Sequence, residues 1–519
     1  MSWLRLEPRA LPMLYTHILA VGILSIIFLV AALRLTRRRV YPLPLPPGPR
    51  HLPFLGNALQ LDTERPWLTY TMWGKMYGNI IHSRVLGIDF IIINSESIAR
   101  ELLDKRSAIY SDRPVIPTNE LAGLDFNTVL LPYGETWRRH RKIFHQVLRA
   151  EASVSYREMY SRHANELVIN LLNTSDLHKH TQAYAASLIM TVTYGHTAHG
   201  NEDPFLARAS ELADIGKRVI SPEKAVMFTA FPFLEKLPNW CFGGAFASMG
   251  RTRELSQQLL NEPFNEVKAQ MANGTASHSL VADFLSQADD NADEDTMKAV
   301  ALTAYTAGID TTMSTLQTFL LAMVLYPDVQ AQARAEINQV VRHDKMPCLD
   351  DRASLPYLDA ILREILRWYP IVPLGAPHAA LNDDNYGGYF IPKGAMVTVN
   401  QWALSRDEDL FPDASRFDPS RHLTAGGQLK DYFVNHSAFG HGRRICPGRW
   451  FAENGLWTAT AAILAVLRID HAKDSNGDRI EVKPEFTTGV VIRPKPFRCS
   501  FESVNTAREE QLRAMMNLK

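Results

Sequence analysis

The longest regular pattern in the chain is a stretch of apolar and small residues from about residue 294 to residue 325. It predicts a helix, which stops at Tyr326-Pro327 because a proline ends the run. Apolar residues lie on nearly every side of this helix, so we expect it to cross the protein interior. A second helix is predicted to begin near Pro356 and to end before Pro370.

Strand patterns are fewer and shorter. They are confined to residues 80–94, with a turn at Gly87, to residues 389–400, around Gly394, and to short pieces near the C-terminus. Helical patterns dominate from about residue 146 to residue 368. No Gly/Ser linker, low-complexity run or repeat divides the chain. We therefore predict one large, mainly α domain with small peripheral β-sheets.

The N-terminal segment has the pattern of a membrane anchor. Residues 10–33 contain no Asp, Glu, Lys or Arg and slightly exceed the roughly 20 residues that span a bilayer as a helix. The basic cluster that follows consists of Arg34, Arg37, Arg38 and Arg39. By the positive-inside rule it places the rest of the chain on the cytoplasmic side. A cleaved signal peptide is the competing interpretation, but the apolar run is too long and no small-residue cleavage site follows. We predict a single-pass membrane protein, with residues 1–41 as anchor and basic flank and residues 42–49 as a stiff proline-rich hinge.

Composition argues against nucleic-acid binding and against a cysteine-based zinc site. The chain has 55 Lys and Arg against 55 Asp and Glu, and zero net charge without a basic, aromatic-interleaved stripe argues against nucleic acid as a partner. Its four cysteines, Cys241, Cys348, Cys446 and Cys499, form no Cys-x-x-Cys pair of the kind that holds zinc. So few cysteines, with no obvious pairing, fit a reducing compartment.

One cysteine has surroundings suited to metal binding. Cys446 lies in the segment 439–448, Phe-Gly-His-Gly-Arg-Arg-Ile-Cys-Pro-Gly. A thiolate ligand needs nearby positive charge and backbone donors, and glycines let the chain turn tightly enough for N–H groups to point at the sulfur. Arg444 is placed to pair with an anion beside the metal, such as a haem propionate. We predict that Cys446 ligates iron as a thiolate; the alternative is a lone structural cysteine in a turn.

The same segment resembles the haem-binding loop of the cytochrome P450 family, the haem-thiolate monooxygenases. The family pattern Phe-x-x-Gly-x-Arg-x-Cys-x-Gly is filled by Phe439, Gly442, Arg444, Cys446 and Gly448. The resemblance implies the cytochrome P450 fold and haem b, an iron protoporphyrin. It makes Cys446 the axial metal ligand, whose electron donation promotes O–O cleavage, and Phe439 and Arg444 further cofactor-binding residues.

A second motif lies within the long predicted helix. Residues 307–312 read Ala-Gly-Ile-Asp-Thr-Thr, and a glycine in mid-helix costs about 1 kcal/mol relative to alanine. The resemblance implies that Gly308 opens a groove over the iron, that Thr311 donates a hydrogen bond to dioxygen, and that Asp310 helps to relay protons from solvent. The alternative from the residues alone is a buried helix whose threonines bond back to the preceding turn.

A third motif, Glu364-x-x-Arg367, lies in the second predicted helix, where both charges share one face. Its surroundings are too apolar for a purely solvated pair, and a buried carboxylate and guanidinium need further partners. The resemblance supplies Arg421, and it implies a structural Glu-Arg-Arg cluster that locks the loop leading to the cysteine. Ser420 and His422 depart from the residues usual there. An ordinary surface ion pair is the alternative.

A fourth motif is Trp137-x-x-x-Arg141, whose two residues lie one helical turn apart and can reach the same object. The resemblance implies that this object is a haem propionate, and that His378 lies where the family often has another basic propionate ligand. Other basic residues form either a docking surface for an acidic redox partner or a solvated helix face. They are Arg138, Arg139, Lys142, Arg443 and Arg449.

The implied activity is the oxidation of a hydrophobic small molecule with dioxygen. No Gly-x-Gly-x-x-Gly segment or flavin domain is present, so electrons must arrive from another protein, which the resemblance makes a membrane-bound NADPH-dependent flavoprotein reductase. Four largely apolar stretches are candidates for substrate contact: 116–130, 301–310, 371–376 and 486–491. The pattern looks most like fungal microsomal members, which implies the endoplasmic reticulum and the hydroxylation or epoxidation of a secondary metabolite such as a terpenoid.

The resemblance covers about residues 42–503, so we assign residues 50–505 to the catalytic domain and residues 506–519 to a solvent-exposed, helical or frayed tail. Two other function classes stay open. A haem-thiolate isomerase or dehydratase needs no external electrons, but such enzymes usually lack the acid and alcohol that Asp310 and Thr311 supply. A non-enzymatic haem-binding protein needs neither the groove nor the basic docking face.

Overall fold

The computed structural model describes residues 41–53, 55–173, 176–196, 204–219, 245–287, 293–430 and 437–517, together with the isolated positions Gly22 and Ser25. This part of the chain is mainly helical, as predicted. Its α-helices are α1 Pro66–Tyr77, α2 Glu96–Ala99, α3 Ser107–Tyr110, α4 Pro117–Leu121, α5 Glu135–Leu148, α6 Ala150–Ser155, α7 Arg157–Asn173, α8 Leu177–Tyr194, α9 Pro204–Val219, α10 Ala245–Ala272, α11 Leu280–Gln287, α12 Glu294–Leu325, α13 Pro327–Val340, α14 Pro356–Trp368, α15 Gln401–Leu404, α16 Arg449–Val466 and α17 Thr506–Asn517.

The long predicted helix is confirmed as α12. Asp293 caps its N-terminus, because Oδ1 of that residue accepts a hydrogen bond from the Thr296 N–H at 2.9 Å. The helix ends before Tyr326 and Pro327. Most of its side chains are buried, and they lie on every side of the helix. It packs against α8 and α16, so it crosses the interior as expected. The second predicted helix is confirmed as α14, which ends two residues before Pro370.

The described strands form one four-stranded sheet and two two-stranded sheets. They are β1 Ile80–Val85, β2 Ile88–Ile93, β3 His378–Ala379, β4 Asp384–Tyr386, β5 Tyr389–Ile391, β6 Met396–Val399, β7 Leu467–His471 and β8 Cys499–Ser503. Leu86 and Gly87 join β1 to β2 with φ angles of 48° and 86°, as a type I′ hairpin turn requires. β2 pairs in parallel with β6, and β6 pairs with β3, in the order β1-β2-β6-β3. Both predicted strand regions, 80–94 and 389–400, are confirmed. Strands β3 and β4 were not predicted, because they are too short to show the two-residue alternation of a strand.

The largest apolar core joins helices α7, α8, α12, α14 and α16. Nearly every residue of α16 from Leu456 onward is buried. Because α16 starts at Arg449, the Cys446 loop leads directly into one of the most buried helices of the protein. This connection fixes the loop to the core.

The C-terminal segment differs from the exposed tail that we predicted. It forms α17, and both Arg508 and Leu512 on this helix are completely buried. The Arg508 guanidinium donates to the carbonyl oxygens of Lys345 at 2.8 Å and Ala465 at 3.1 Å. The helix is therefore packed on the domain. Carbonyl groups of the domain accept hydrogen bonds from the buried guanidinium of Arg508, which the sequence alone would place in solvent.

The predicted membrane localisation is corrected by the structure. Within the described ranges, no helix combines the length and the apolar character that crossing a bilayer requires. The predicted anchor, residues 10–33, lies outside the described residues except for Gly22 and Ser25. The long apolar helix that is described, α12, buries its side chains against other helices of the protein. A single-pass membrane protein of the endoplasmic reticulum is therefore not supported.

Candidate active site

The segment before Cys446 is a tight loop. The Cys446 N–H donates to the carbonyl oxygen of Phe439 at 2.8 Å. Gly440 and Gly442 have φ angles of 79° and 57°, in the left-handed region that favours glycine. A Cβ at Gly442 would lie 1.9 Å from the carbonyl oxygen of Leu103, so a side chain there would displace the loop. These residues pack the loop against the π-helical segment Arg100–Lys105.

The environment of Cys446 favours the neutral thiol, whereas we expected it to favour the thiolate. Burial raises the pKa of its thiol above the ordinary value, although the Gly448 N–H and the charges of Arg141 and Arg449 act in the opposite direction. Basic groups and backbone donors are present as predicted, but they do not by themselves keep the sulfur ionised. A bound metal cation deprotonates a coordinating thiol directly. The donor set therefore suits a thiolate that forms on metal binding.

Arg444, Arg141 and Trp137 form a cluster beside this loop. The Arg444 guanidinium carbon lies 4.4 Å from the centre of the Trp137 ring, and that of Arg141 lies 5.8 Å from the same centre. Nη1 of Arg141 donates to the carbonyl oxygen of Ile445 at 2.8 Å, which connects α5 to the cysteine loop. The structure thus brings together three of the predicted cofactor-binding residues and Cys446.

One donor of Arg444 has no partner among the described residues. Its Nε and Nη2 donate to the carbonyl oxygens of Ser111 at 2.7 Å and Leu131 at 2.8 Å, whereas its buried Nη1 makes no hydrogen bond. Burial lowers the pKa of Arg444 to about 10, so the group stays protonated at neutral pH. A buried, charged and unpaired donor is costly, and an anion such as a carboxylate would satisfy it.

His378 lies close to two cations. Its Nδ1 lies 2.7 Å from the carbonyl oxygen of Tyr110, which identifies Nδ1 as the protonated nitrogen. Burial, reinforced by the charges of Arg113 and Arg444, moves the pKa of His378 well below its usual value. The ring is therefore neutral, and Nε2 has no proton to donate. The predicted role of His378 as a basic propionate ligand requires that an anion first raise this pKa.

Arg113 is a buried cation that the sequence analysis missed. It donates from Nε to the carbonyl oxygen of Val129 at 2.8 Å, and from Nη1 to those of Ala376 at 2.8 Å and Pro377 at 2.6 Å. Burial lowers its pKa to about 9, which still leaves it charged at neutral pH. Its only sequence signal is an arginine followed by proline in a loop. Arg113 thus connects two of the predicted substrate-facing stretches, 116–130 and 371–376.

On α12, the predicted catalytic residues lie on different sides of the helix. Ala307 is exposed, and Asp310 and Thr311 are half-buried in the middle of an otherwise buried helix. The Thr311 hydroxyl donates to the carbonyl oxygen of Ala307 at 2.7 Å, which is the back-bond expected from the residues alone. A Cβ at Gly308 would lie 3.4 Å from Cγ1 of Ile189, so the side of Gly308 that would bear a side chain packs against α8. One turn before Thr311, the exposed position on α12 is Ala307.

Glu364 is completely buried and is surrounded by donors. It accepts from Nε and Nη2 of Arg367 at 2.8 Å and 2.7 Å, and from Nε of Arg421 at 3.1 Å. Burial alone would raise the pKa of Glu364, but its hydrogen bonds with Arg367 and His422 outweigh this effect and lower it. The three predicted structural residues thus meet in one buried cluster, not in a surface ion pair.

His422 is a fourth member of the cluster. Its Nε2 lies 2.9 Å from Oε2 of Glu364, and burial lowers the pKa of His422, so the neutral ring donates a hydrogen bond from its Nε2–H to the carboxylate. In the sequence, His422 was noted only as a departure from the residues usual at this position. Its position one residue after Arg421, in the 3₁₀ turn Pro419–His422, was the available signal.

Comparison with known proteins identifies the family to which this architecture belongs. A sequence model of the cytochrome P450 family matches residues 46–501. Cytochrome P450 monooxygenase 105 of Postia placenta is 37% identical over 523 residues, which cover 99% of this chain and 98% of that protein. Cytochrome P450 monooxygenase COX1 of Coprinopsis cinerea is 36% identical over 485 residues, or 90% of this chain and 93% of that protein. This chain belongs to the cytochrome P450 family.

The chain is therefore a P450 monooxygenase. Cytochrome P450 monooxygenase claR of Ampulloclitocybe clavipes is also 37% identical over 473 residues, which cover 90% of this chain and 88% of that protein. Membership in the family implies a haem held by a cysteine thiolate, dioxygen as a co-substrate and electrons from a reductase. The buried donor of Arg444 and the cysteine loop fit such a group.

The basic residues that we predicted as a docking surface of this P450 do not all lie together. Arg138 and Arg443 both lie over the ring of Tyr133, at 5.6 Å and 5.5 Å, and Nη1 of Arg443 also donates to the Tyr133 hydroxyl. Arg139 instead pairs with Asp293 at 3.1 Å, so it belongs to the contact between α5 and α12. The surface next to the cysteine loop therefore contains Arg138 and Arg443 but not Arg139.

Two predicted substrate-facing stretches of the P450 lie next to each other, because each contacts a residue that flanks the other. The Ile492 N–H donates to the carbonyl oxygen of Ile371 at 2.8 Å. The rings of Tyr369 and Phe486 are stacked, with centroids 3.8 Å apart and an interplanar angle of 9°. The structure thus holds residues 371–376 and 486–491 side by side.

Replacing His140 on α5 should reduce the acid sensitivity of the P450 fold. Burial lowers the pKa of His140 to about 4. Since its pKa in an unfolded chain is about 6.5, the unfolded state binds the proton first as the pH falls. The contribution of this neutral histidine is complete above about pH 6.5 and is lost progressively towards pH 4. We expect the free energy of unfolding to fall by roughly 2 kcal/mol less between pH 7.5 and pH 5 in His140→Phe than in the wild type.

Urea unfolding at the two pH values measures this difference. His145→Gln, at an exposed position on the same helix, is the matched control and should behave as the wild type. An identical pH dependence of unfolding in His140→Phe and the wild type would contradict the assignment.

Proposed function

We propose that the protein uses dioxygen, and electrons that an NADPH-dependent flavoprotein reductase supplies, to hydroxylate or epoxidise a hydrophobic small molecule. The proposed substrate class is secondary metabolites such as terpenoids. The proposed cofactor is haem b, which Cys446 would hold as a thiolate ligand. The single observation that supports this assignment most is the buried, unpaired Nη1 of Arg444 next to Trp137, Arg141 and the Cys446 loop.

Cys446, Phe439, Arg444, Arg141 and Trp137 each have a separate role in this proposal. Cys446 supplies the thiolate, and the Phe439 carbonyl holds the Cys446 backbone in place. Arg444 and Arg141 would pair with the propionates of a bound haem, and Trp137 keeps both guanidinium groups in position by contact with their faces. His378 is a further propionate ligand once it is protonated. The haem itself supplies the oxygen-activating chemistry.

Thr311 and Asp310 control proton delivery in the proposed mechanism. The Thr311 hydroxyl proton is directed at the Ala307 carbonyl oxygen, which leaves the lone pairs of Oγ1 to accept a hydrogen bond from a second donor. Asp310, half-buried one residue earlier, provides an acid that exchanges protons with solvent. A general acid of this kind typically contributes 10²- to 10⁴-fold to a rate.

Apolar side chains support the proposed substrate class. The loop after α4 contributes Phe126 and Leu130, and α12 contributes Ala304 and Ile309, all of which pack on the main core. Phe486 contributes an aromatic face that already stacks on Tyr369. Such a lining favours a substrate without charge and with few polar groups.

The partner proposed for electron transfer is an acidic surface of the reductase. Arg138 and Arg443 are exposed, converge on Tyr133, and lie next to the loop that contains Cys446. A paired cationic patch at this place favours association with carboxylates and makes its rate dependent on ionic strength.

Replacing Thr311 by Ala tests the proposed function. We expect the variant to oxidise NADPH in the presence of reductase, to release hydrogen peroxide, and to form at least about tenfold less oxygenated product from a panel of terpene hydrocarbons. Thr311→Ser keeps the hydroxyl and is expected to retain most of the coupling. Measured quantities are NADPH consumed, peroxide released and product formed. Product formed without reductase would favour an isomerase or dehydratase instead, and unchanged product yield in Thr311→Ala would contradict the role of Thr311.

A further inference from the structure

Three buried polar side chains from three separate segments are joined by hydrogen bonds. His140 lies on α5, Thr128 lies in the loop between α4 and α5, and Thr303 lies on α12, two turns before Asp310. Nδ1 of His140 lies 2.8 Å from Oγ1 of Thr128, and Oγ1 of Thr303 accepts from the Thr128 N–H at 3.2 Å. Their exposed fractions are 2%, 5% and 3%. We refer to these three residues as the loop tether.

The loop tether acts on a loop that is also held by two cations at residues just after Thr128. Nε of Arg113 donates to the carbonyl oxygen of Val129, and Nη2 of Arg444 donates to that of Leu131, both at 2.8 Å. These two contacts attach the loop to cations near the cysteine loop. The Thr303 contact attaches it to α12. The loop is therefore bound from two directions, and its position between them depends on the tether.

A second contact joins the same two helices at the surface. Nη1 of Arg139, the residue before His140, pairs with Oδ2 of Asp293 at the start of α12. Both side chains are about half exposed, so solvent screens this pair and its removal has little effect. The buried tether differs because breaking it leaves a backbone N–H without an acceptor inside the protein.

We infer that His140, Thr128 and Thr303 are positioning residues that fix the loop of residues 124–131 against α12 and so set the room available for bulky substrates. This inference rests on the proposed function, since it takes the loop and α12 as opposite walls of the substrate site. The neutral state of His140 agrees with it, because burial lowers the pKa of this ring to about 4 and so removes the charge that would draw water to the contact.

The first test follows backbone amide exchange in the haem-loaded, full-length protein. Thr303→Val removes the acceptor at almost constant volume, and His140→Phe removes the other end of the tether without touching Thr303. We expect hydrogen–deuterium exchange in peptides that cover residues 124–131 to accelerate at least tenfold in both variants. Thr303→Ser, which keeps the hydroxyl, should stay within threefold of the wild type, and Arg139→Gln should be indistinguishable from it. Unchanged exchange in both Thr303→Val and His140→Phe would overturn the inference.

The second test uses two azoles that bind haem iron and differ in size. We expect His140→Phe and Thr303→Val to weaken binding of 4-phenylimidazole at least fivefold, measured from the Soret shift, while binding of imidazole changes less than twofold. Equal weakening for both azoles would place the defect at the haem rather than at the loop and would overturn the inference. A wild-type protein whose spectrum responds to neither azole would contradict the proposed haem site itself, and this outcome is separate from a failure of the tether alone.

Discussion

Cys446→Ser should abolish the strongly red-shifted Soret band of the reduced, carbon-monoxide-bound protein and lower product formation at least about a thousandfold. Serine oxygen does not supply the electron donation by which a thiolate promotes O–O cleavage, so the loss concerns the chemical step. The backbone contact from residue 446 to the Phe439 carbonyl does not depend on the side chain, and the loop should keep its shape. The effect is therefore expected in a protein that still folds.

The matched control for this experiment is Cys348→Ser. Cys348 is half-buried and caps the 3₁₀ segment Leu349–Ser354, and a serine can make the same capping contact. We expect this variant to keep the red-shifted band at wild-type intensity. A haem-loaded, well-folded wild type that lacks the band would overturn Cys446 as the axial ligand, and a band that persists in Cys446→Ser would assign the ligand to another residue.

Glu364→Gln should destabilise the fold by about 3 kcal/mol or more, because it removes the only negative charge from a buried cluster and leaves the cations without compensation. Arg367 lies within this cluster, and its Nη1 donates to the carbonyl oxygens of Ser405 and Ala414 at 2.8 Å each. Its Nε and Nη2 donate to the carboxylate of Glu364, and Nη2 also donates to the carbonyl oxygen of Arg416 at 3.2 Å. An amide at residue 364 cannot accept all of these bonds and introduces two donors of its own.

Urea unfolding followed by far-ultraviolet circular dichroism measures this loss. Asp350→Asn breaks an ion pair between Asp350 and Arg157 whose N and O atoms lie 3.1 Å apart at the surface, and it should leave the unfolding midpoint nearly unchanged. Because the pKa of Glu364 is lowered in the folded protein, its contribution is present above the pKa of the unfolded carboxyl and is lost as the pH falls through the folded value. The difference between wild type and Glu364→Gln should therefore shrink in acid. A variant as stable as the wild type at neutral pH would show that the cluster is not needed for the fold.

Local sequence patterns were sufficient for several elements. The C-terminal end of α12 and both ends of α14 were predicted because a proline marks each of these boundaries, and α12 itself was predicted from its long run of apolar and small residues. The β1–β2 hairpin was predicted from a turn at Gly87 between two β-rich segments. In each case the determining interactions connect residues close in sequence, so they can be read without a structure.

Other features depend on contacts between distant parts of the chain. His422 joins Glu364 across a separation of 58 residues, and Arg113 reaches the carbonyl of Ala376 across 263. Arg508 is buried only because carbonyl groups from elsewhere surround it. No local pattern reports such pairings, since polar residues of this kind are usually exposed.

The amino-acid sequence by itself determined the family pattern around Cys446, the positions of the main helices and the residues available for the site, because these depend on residue type and spacing along the chain. Only the tertiary structure decided that Gly308 packs against Ile189 of α8 and that Arg444 keeps one buried donor unpaired. These properties depend on which groups exclude water from one another, and that is fixed when distant segments pack.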